Sequence, residues 1–242
     1  MFASESPNDY FCSPNCAYMK QTMYDTILGL PLFQGLSTAD LTRVLEGTRL
    51  AFDTVVPGTS LFMQDQLCTG LTFVIDGVIN LHTESADHRW SVDETLNSPL
   101  VLGMDVLYGS TRTHRHSVQA TTATRILFMD KRTVAALIGY FEVFRLNVLN
   151  LLTTSAVRRD QLNWLPPATT KEEHIIHFFR THVQRPAGHK RFNISQKVLG
   201  RYLGEDYRMI AQTLHQMQDR EWLTLERRCI DIPAFERLIT GS

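Results

Sequence analysis

The stretch that decides the fold is ISQKVLGRYLGEDYRMIAQTLHQMQDREWL, residues 194–223. Ser195 is a good N-cap for a first helix, QKVLGRYL, and Gly204 ends that helix where a left-handed residue is needed. Asp206 can then cap a second helix that begins at Tyr207. Two amphipathic helices joined by so short a turn predict a helix-turn-helix.

The residues that follow predict a small hairpin. WLTLE and CIDI alternate in the manner of two short strands, with Arg227 and Arg228 between them. A hairpin placed after two such helices is the expected wing of a winged helix, and its two arginines are placed to contact phosphate. Helix, short turn, helix and hairpin together are far more specific than any one of them, and they favour DNA binding.

The outward side of the second helix carries the candidate base-reading residues. In a helix-turn-helix the N-terminal end of this helix enters the major groove, where Arg can donate two hydrogen bonds to guanine and Gln can read adenine. The alternative interpretation is a solvated helix face. The candidate DNA-binding residues are Ser195, Gln196, Tyr207, Arg208, Gln212, His215, Arg227 and Arg228.

The segment from Leu50 to Asp130 is rich in short runs that favour strands. Turn formers separate these runs, among them Pro57-Gly58 and Asp76-Gly77. Strands at this spacing predict a sandwich, barrel or roll.

One long helix is predicted from Tyr140 to Asn163, and Pro166-Pro167 then provides a hinge. A set of residues at alternating spacings of three and four predicts a seam against the same helix of a second chain. A second stripe, Leu149, Leu152 and Ala156, is expected to face the strand domain. A helix packed within its own chain is the alternative. The predicted seam consists of Phe141, Phe144, Val148, Leu151, Ser155, Arg158 and Leu162.

Length and composition favour two modest domains in the cytoplasm. The chain has 242 residues, of which 43% are hydrophobic, enough for a buried core. No run of eighteen uncharged apolar residues occurs, and the N-terminus is polar and acidic, so we expect neither a membrane span nor a secretion signal. Four cysteines are too few for a disulfide framework, and free thiols are the default.

Charge is distributed unevenly along the chain. Residues 1–165 carry 12 Lys and Arg against 16 Asp and Glu, whereas residues 166–242 carry 12 against 9. A basic C-terminal part is compatible with phosphate contact, although an imbalance of this size is common in ordinary domains.

Taken together, these motifs resemble the Crp/Fnr family of bacterial transcription regulators, from about Leu30 to Ile232. PLFQGLSTADL looks like the opening helical segment of the family. VVPGTSLFMQDQ and LTFVIDGVINL look like its β-roll motifs around a characteristic glycine, here Gly77. Residues 194–223 are similar to its helix-turn-helix without a gap.

The resemblance implies an α+β fold: an N-terminal, jelly-roll-like β-roll sensory domain, a long dimerisation helix and a C-terminal winged helix-turn-helix. The corresponding parts are an N-terminal extension (1–28), a cyclic-nucleotide-binding-like roll (29–139), the dimerisation helix and hinge (140–165) and the DNA-binding domain (166–242). It also implies a homodimer on double-stranded DNA, with RNA polymerase and a small-molecule effector as further candidate partners, and no enzymatic activity.

The base-reading positions differ from those of the family. They correspond to Tyr207, Arg208 and Gln212, where the commonest pattern is Arg, Glu and Arg. We therefore expect an operator different from the usual consensus. Ser195 still matches a position that commonly contacts phosphate.

The effector motif differs as well. Cyclic-nucleotide-binding members carry a Gly-Glu pair and, about ten residues on, an Arg-Ser pair. Met104 stands at the Glu position here, and His114-Arg115 stand at the Arg-Ser positions, so cAMP is not the expected effector and the sequence names no cofactor. Arg115 can still pair with a phosphate. The candidate effector-binding residues are Gly103, Met104, Asp105, His114, Arg115 and Ser117.

Two sensing alternatives remain open on this fold. Cys12 and Cys16, with Cys68, offer only three thiols, and Cys229 lies in the wing, whereas an iron–sulfur cluster usually needs four thiolates in a characteristic spacing. Met104, His114 and His116 are candidate haem ligands, although such residues in a β domain are usually structural.

Two other classes of protein compete with the regulator. A metal enzyme would need a compact ligand set, and His82, His88, His114 and His116 show no metal spacing. No nucleophile elbow, P-loop or dinucleotide fingerprint is present. A regulatory subunit whose winged helix binds protein is the second competitor, and Tyr207 in place of a basic residue favours it.

Overall fold

The structure, a computed structural model, describes residues 23–47 and 50–240. Two helices, α1 (residues 23–28) and α2 (Thr38–Gly47), precede the strands. The strands up to residue 130 are β1 (Ala51–Val55), β2 (Ser60–Phe62), β3 (Gly70–Asp76), β4 (Val78–Glu84), β5 (Ser91–Asn97), β6 (Leu100–Leu102), β7 (Ser117–Ala120) and β8 (Thr124–Asp130).

These strands form a roll of two antiparallel sheets. One sheet has the order β1-β8-β3-β6, and the other contains β5-β4-β7-β2. Burial alternates along the strands, with Ile79 and Leu81 buried in β4 and Val92 and Leu96 buried in β5, as expected for sheets with one face on a core. The roll predicted between Leu50 and Asp130 is therefore confirmed.

Two helices close the roll. Asp130 caps α3 (Lys131–Tyr140), and its side chain accepts hydrogen bonds from the N–H groups of Arg132 and Thr133. The chain then bends at Phe141 and continues as α4 (Glu142–Asn163). The long helix predicted from Tyr140 to Asn163 is thus present, two residues shorter.

A cluster of three phenylalanines fastens α4 to the roll. The ring of Phe33 lies 5.5 Å from that of Phe73 in β3 and 5.3 Å from that of Phe144 in α4, measured between centroids. All three side chains are fully buried. Burial of a side chain of this size stabilises the fold by about 1.5–3 kcal/mol.

The predicted dimer seam on α4 is wrong for its two buried residues, Phe144 and Val148, which face their own chain. Phe144 and Val148 are buried within the chain, and Leu151 and Ser155 line a cavity beside the roll. The stripe predicted to face the strand domain is divided: Leu152 lines that cavity, whereas Leu149 is 51% accessible. Spacing grouped Phe144 with Val148 correctly but did not determine that both pack within their own chain. Of the remaining seam residues, Phe141 packs against the roll core, and Phe141, Arg158 and Leu162 are half-buried.

The C-terminal part is a winged helix. Its elements are α5 (Lys171–Thr181), β9 (Lys190–Asn193), α6 (Gln196–Leu203), α7 (Tyr207–Asp219), β10 (Thr224–Glu226), β11 (Cys229–Ile232) and α8 (Phe235–Thr240). β10 and β11 pair as the predicted hairpin.

The turn between α6 and α7 has the predicted caps. Asp206 accepts a hydrogen bond from the N–H of Arg208. Gly204 has a φ of +67°, the left-handed conformation that favours glycine. Gly200 lies so close to the turn that a Cβ atom there would be 2.8 Å from the carbonyl oxygen of Glu205. Gly200 therefore permits the close approach of α6 to the turn before α7.

The two domains share a sheet, which the sequence did not predict. β9 pairs with β11 on one side and with β5 of the roll on the other, so the second sheet has the order β10-β11-β9-β5-β4-β7-β2. Trp90 and Val92, which belong to the roll by sequence, pack in the core of the winged helix. A division at residue 166 therefore separates strands that pair with each other.

Among the described residues, no single helix has the length and hydropathy needed to cross a bilayer. α3 and α4 meet that test only when taken together, and they are bent by 113° at their junction.

Candidate DNA-binding surface and effector cavity

The helix-turn-helix exposes the outward face of α7. Tyr207, Arg208, Gln212 and His215 are all exposed. Arg208, Gln212 and His215 are spaced by four and three residues, so they share one face of the helix. The opposite face is buried through Ile210, Thr213, Leu214 and Met217.

Three arginines of the winged helix have no acidic partner among the described residues. Within residues 23–47 and 50–240, no carboxylate lies within 4.0 Å of Arg208, Arg227 or Arg228. Other basic side chains of the domain are paired, such as Arg220 with Glu172 at 3.0 Å. Positive charge is therefore left unneutralised at the start of α7 and at the turn of the wing.

Ser195 and Gln196 lie at the start of α6. The Ser195 Oγ atom accepts a hydrogen bond from the N–H of Val198 at 3.3 Å and so caps the helix. Gln196 is half-buried. The N–H groups at such a helix start attract anions, so this end of α6 is compatible with a DNA phosphate.

A cavity of about 400 Å³ lies between the roll and α4. Its volume is in the range of small-molecule sites. Part of its wall is apolar and belongs to the interior of the roll, with Phe62, Leu81, Leu96 and Val118 among its lining residues. The cavity is the candidate effector site.

Five of the six predicted effector residues line this cavity, and the sixth does not. Ser117 is absent from the wall, because the Ser117 Oγ atom accepts a hydrogen bond from the N–H of Gln64 at 2.9 Å. Its two neighbours in the strand region, His116 and Val118, line the cavity instead. The five that do are Gly103, Met104, Asp105, His114 and Arg115.

Two histidines in the wall are held in their neutral form at pH 7. The ring of His114 stacks on Phe62 at 3.8 Å between centroids, and burial lowers its pKa. The Nδ1 atom of His116 lies 2.6 Å from the Oγ1 atom of Thr83, and burial lowers the pKa of His116 to about 4. Neither ring contributes positive charge to the cavity near neutral pH.

The described part of the chain contains no group of three or more His, Cys, Asp or Glu arranged to hold a metal ion. Cys68 is buried beside the carbonyl oxygen of Gly70, at 3.2 Å, and Cys229 is buried in the wing. Burial raises the pKa of both thiols. Cys12 and Cys16 lie outside the described residues.

The sequence did not identify the arginines that complete the wall. Arg158 and Arg159 of α4 and Arg185 of the segment after α5 all line the cavity. Arg158 was assigned to the dimer seam because it continues the spacing of Phe144 and Val148. That same spacing puts it on the face that meets the roll.

Comparison with known proteins gives matches by structure alone. No protein-family model matches the chain, and no curated protein matches it by sequence. The sensor domain of the transcriptional regulator DNR from Pseudomonas aeruginosa is 14% identical, with a TM-score of 0.50, over 63% of this chain and 98% of that one.

Two longer structures match most of the chain. A transcriptional regulator of the Crp/Fnr family from Eubacterium rectale is 18% identical, with a TM-score of 0.49, over 87% of this chain and 97% of that one. The catabolite activator protein of Thermus thermophilus is 17% identical, with a TM-score of 0.46, over 87% and 99%. At such identities a likeness concerns the fold alone. The match to the DNR sensor domain agrees with the α+β fold and β-roll predicted from the sequence.

Proposed function

We propose that this chain is a sequence-specific, DNA-binding transcription regulator of the Crp/Fnr type, that it acts as a homodimer, and that it is not an enzyme. The observation that carries the proposal is the exposed face of α7 with Arg208, Gln212 and His215, in a domain whose wing carries Arg227 and Arg228 without a carboxylate partner among the described residues. A regulator of this type works on the chromosome with RNA polymerase, so we expect it in the cytoplasm.

The geometry supports base contacts by α7 and phosphate contacts by the wing. Arg208 and Gln212 lie near the start of α7, the end that enters the major groove, and each can make a bidentate contact with a base edge. Arg227 and Arg228 at the turn of the wing are available for phosphate, which gives affinity without sequence information. Tyr207 adds an exposed ring that can contact a thymine methyl or the sugar.

A homodimer is supported by the outer face of α4. Leu146, Leu149 and Val157 are exposed there, with accessibilities between 51% and 56%. Apolar side chains along one exposed helix face are typical of a seam with a second helix. Because a two-fold axis along α4 duplicates the winged helix, the expected operator consists of two inverted half-sites.

The cavity supports control by a small molecule. It lies between the roll and the inner face of α4, so an occupant would contact the helix that also carries the dimer face. Met104 occupies the position at which cyclic-nucleotide binders have a carboxylate. An effector other than cAMP therefore fits this wall better.

The test is selection of genomic fragments by the purified full chain, with Arg208→Ala in parallel at one salt concentration. Arg132→Ala is the matched control, because Arg132 is exposed at the start of α3 in the other domain. We expect the unaltered chain and the control to select a two-fold-symmetric site. Arg208→Ala is expected to lose about 1–3 kcal/mol of discrimination at one position of each half-site.

The same experiment addresses the competing protein-binding role. Affinity for the selected duplex is expected to fall steeply with salt, because phosphate contacts release counterions. If no site emerges with or without cell extract, the DNA proposal fails. The exposed Tyr207 surface should then be tested against protein partners.

A further inference from the structure

We infer that the cavity between the roll and α4 binds a small molecule with an apolar body and an acidic group, and that Arg158 and Arg185 hold the acidic group. The inference deepens the proposed function by naming the chemical class of the effector. It uses residues of α4 and of the segment after α5.

The wall of the cavity carries more positive than negative charge. Four arginines line it, Arg115, Arg158, Arg159 and Arg185, against the single lining carboxylate of Asp105. That carboxylate is already engaged by Arg159, at 3.4 Å. In the part of the chain that the structure describes, the other three arginines have no carboxylate within 4.0 Å.

Arg158 is in an environment that disfavours its charge. It is half-buried, and its pKa is lowered first by burial and then by the neighbouring charges of Arg185 and Arg159. Glu94 acts in the opposite direction, but its carboxylate is already bound to Lys190 and to two backbone N–H groups. A partly buried guanidinium among like charges is stabilised when an anion joins it.

The rest of the wall selects the body of the ligand. Phe62, Leu81, Leu96 and Val118 present apolar surface from the roll, and Leu151 adds to it from α4. The buried histidines stay neutral near pH 7, so positive charge at this site comes from the arginines. The matching ligand is amphipathic, with its acidic end toward α4 and its apolar end in the roll.

Arg185 connects the cavity to the joint between the domains. Its backbone N–H donates to the Oε2 atom of Glu94 at 3.1 Å, and the N–H of Gln184 donates to the Oε1 atom at 2.7 Å. A ligand that binds the Arg185 side chain therefore acts on the segment that holds the winged helix to β5. The cavity is thereby connected to the joint at which β5 pairs with β9.

The experiment is a thermal-unfolding titration of the full chain at constant ionic strength. The probes are phenyl phosphate, which has both an apolar ring and an acidic group, inorganic phosphate, and phenol as the neutral ring alone. We expect phenyl phosphate to raise the Tm saturably by about 3 °C or more, and phosphate and phenol to raise it by less than half as much.

The variants identify the site. The double variant Arg158→Gln/Arg185→Gln is expected to lose at least two thirds of the phenyl phosphate shift, whereas Arg132→Gln is expected to retain it. Arg158→Gln without ligand should unfold at a Tm no lower than that of the unaltered chain, because the substitution removes a poorly placed charge. That expectation separates loss of binding from loss of folding.

Three outcomes would overturn the inference: no shift with phenyl phosphate, an equal shift with phenol, or an undiminished shift in the double variant. None of these measurements involves DNA. A failed search for an operator together with an Arg158-dependent shift would therefore reject the proposed function and leave the anion site standing.

Discussion

The Nζ atom of Lys190 lies 3.2 Å from the Oε2 atom of Glu94, and both side chains are completely buried. Lys190 belongs to β9 of the winged helix and Glu94 to β5 of the roll, so this ion pair crosses the joint between the domains. Lys190 also donates to the carbonyl oxygen of Ala187 at 2.8 Å. Burial lowers the pKa of Lys190, and the charge of Glu94 opposes that effect. Each of the two charges therefore has a partner in the interior. A buried charge left without its partner would destabilise the fold.

Removing one partner should therefore destabilise the whole chain. Lys190→Met leaves the Glu94 carboxylate buried without its cation, and we expect the free energy of unfolding to fall by about 3–5 kcal/mol. Urea denaturation followed by circular dichroism measures this change. Lys197→Met, at an exposed position in α6, is the matched control and should change stability by less than about 0.5 kcal/mol.

Substitution of both residues tests whether the unpaired charge causes the loss of stability. Glu94→Leu combined with Lys190→Met should recover part of the loss, because no unpaired charge remains. Recovery stays incomplete, since the N–H groups of Gln184 and Arg185 lose their acceptor. Equal losses for Lys190→Met and Lys197→Met would show that the joint does not form in solution.

The turn of the helix-turn-helix yields a second prediction. Gly200→Ala places a Cβ atom 2.8 Å from the carbonyl oxygen of Glu205, and relief of that contact should cost about 2 kcal/mol. In the described part of the chain, the Cβ atom of Gly204→Ala meets no atom within 4 Å, but the residue keeps a φ of +67°, which should lower the free energy of unfolding by about 1 kcal/mol.

Gly139→Ala is the control for both substitutions. Gly139 lies within α3, and a Cβ atom added there would have no neighbour within 4 Å among the described residues. The change should therefore be neutral or stabilising by about 0.5 kcal/mol. Urea denaturation of the three variants measures the order of their stabilities. A Gly200→Ala variant as stable as Gly139→Ala would mean that α6 and α7 meet at a different angle.

His116 predicts how stability depends on pH. As the pH falls, the unfolded chain protonates this histidine near its ordinary pKa of 6.5, whereas the folded chain keeps it neutral down to about 4. The unfolded state binds more protons in this window, so stability decreases from pH 6.5 to about 4 and this contribution levels off below. Between pH 6.5 and 4.5, we expect the free energy of unfolding of His116→Gln to fall by about 2 kcal/mol less than that of the unaltered chain.

Comparison with a second histidine isolates that effect from the titration of carboxylates. His215→Gln alters an exposed ring of α7, and its pH profile should follow that of the unaltered chain. Parallel profiles for all three proteins would indicate that His116 is open to solvent in the folded state.

The outer face of α4 predicts the state of association. Leu146→Glu together with Leu149→Glu places two charges on the exposed apolar face, and we expect the dimer to dissociate into chains of 27.7 kDa. Sedimentation velocity measures the mass, and an unchanged circular dichroism spectrum shows that the fold is kept. Asn163→Glu, exposed at the end of the same helix, should leave the mass at twice that value. A dimer that survives the double substitution would place the interface elsewhere.

Local chemistry explains why much of the winged helix was predictable. Ser195, Gly204 and Asp206 each act on backbone groups only a few residues away, so short stretches of sequence suffice to locate α6 and α7. The hairpin around Arg227 follows from the alternation of apolar residues.

The features that were missed depend on distant partners. Periodicity on α4 groups Phe144 with Val148, but whether that face meets the roll or a second chain depends on the tertiary fold. Lys190 is hidden from prediction for a similar reason, since a lysine is buried only when a residue such as Glu94 is brought to it. Ser117 shows the remaining limit, because a step of one residue along a strand changes the face on which a side chain lies.

The shared sheet has a practical consequence for dissecting this chain. A fragment that starts at Pro166 would contain all the helices of the winged helix. One edge of β9 would nevertheless lack its neighbour β5, and the space that Trp90 fills in the core would be empty. An open strand edge beside an uncovered apolar hollow invites two fragments to pair with each other. The smallest portion that can be studied in isolation therefore includes β5, and binding measurements on the C-terminal piece alone would report on an aggregate.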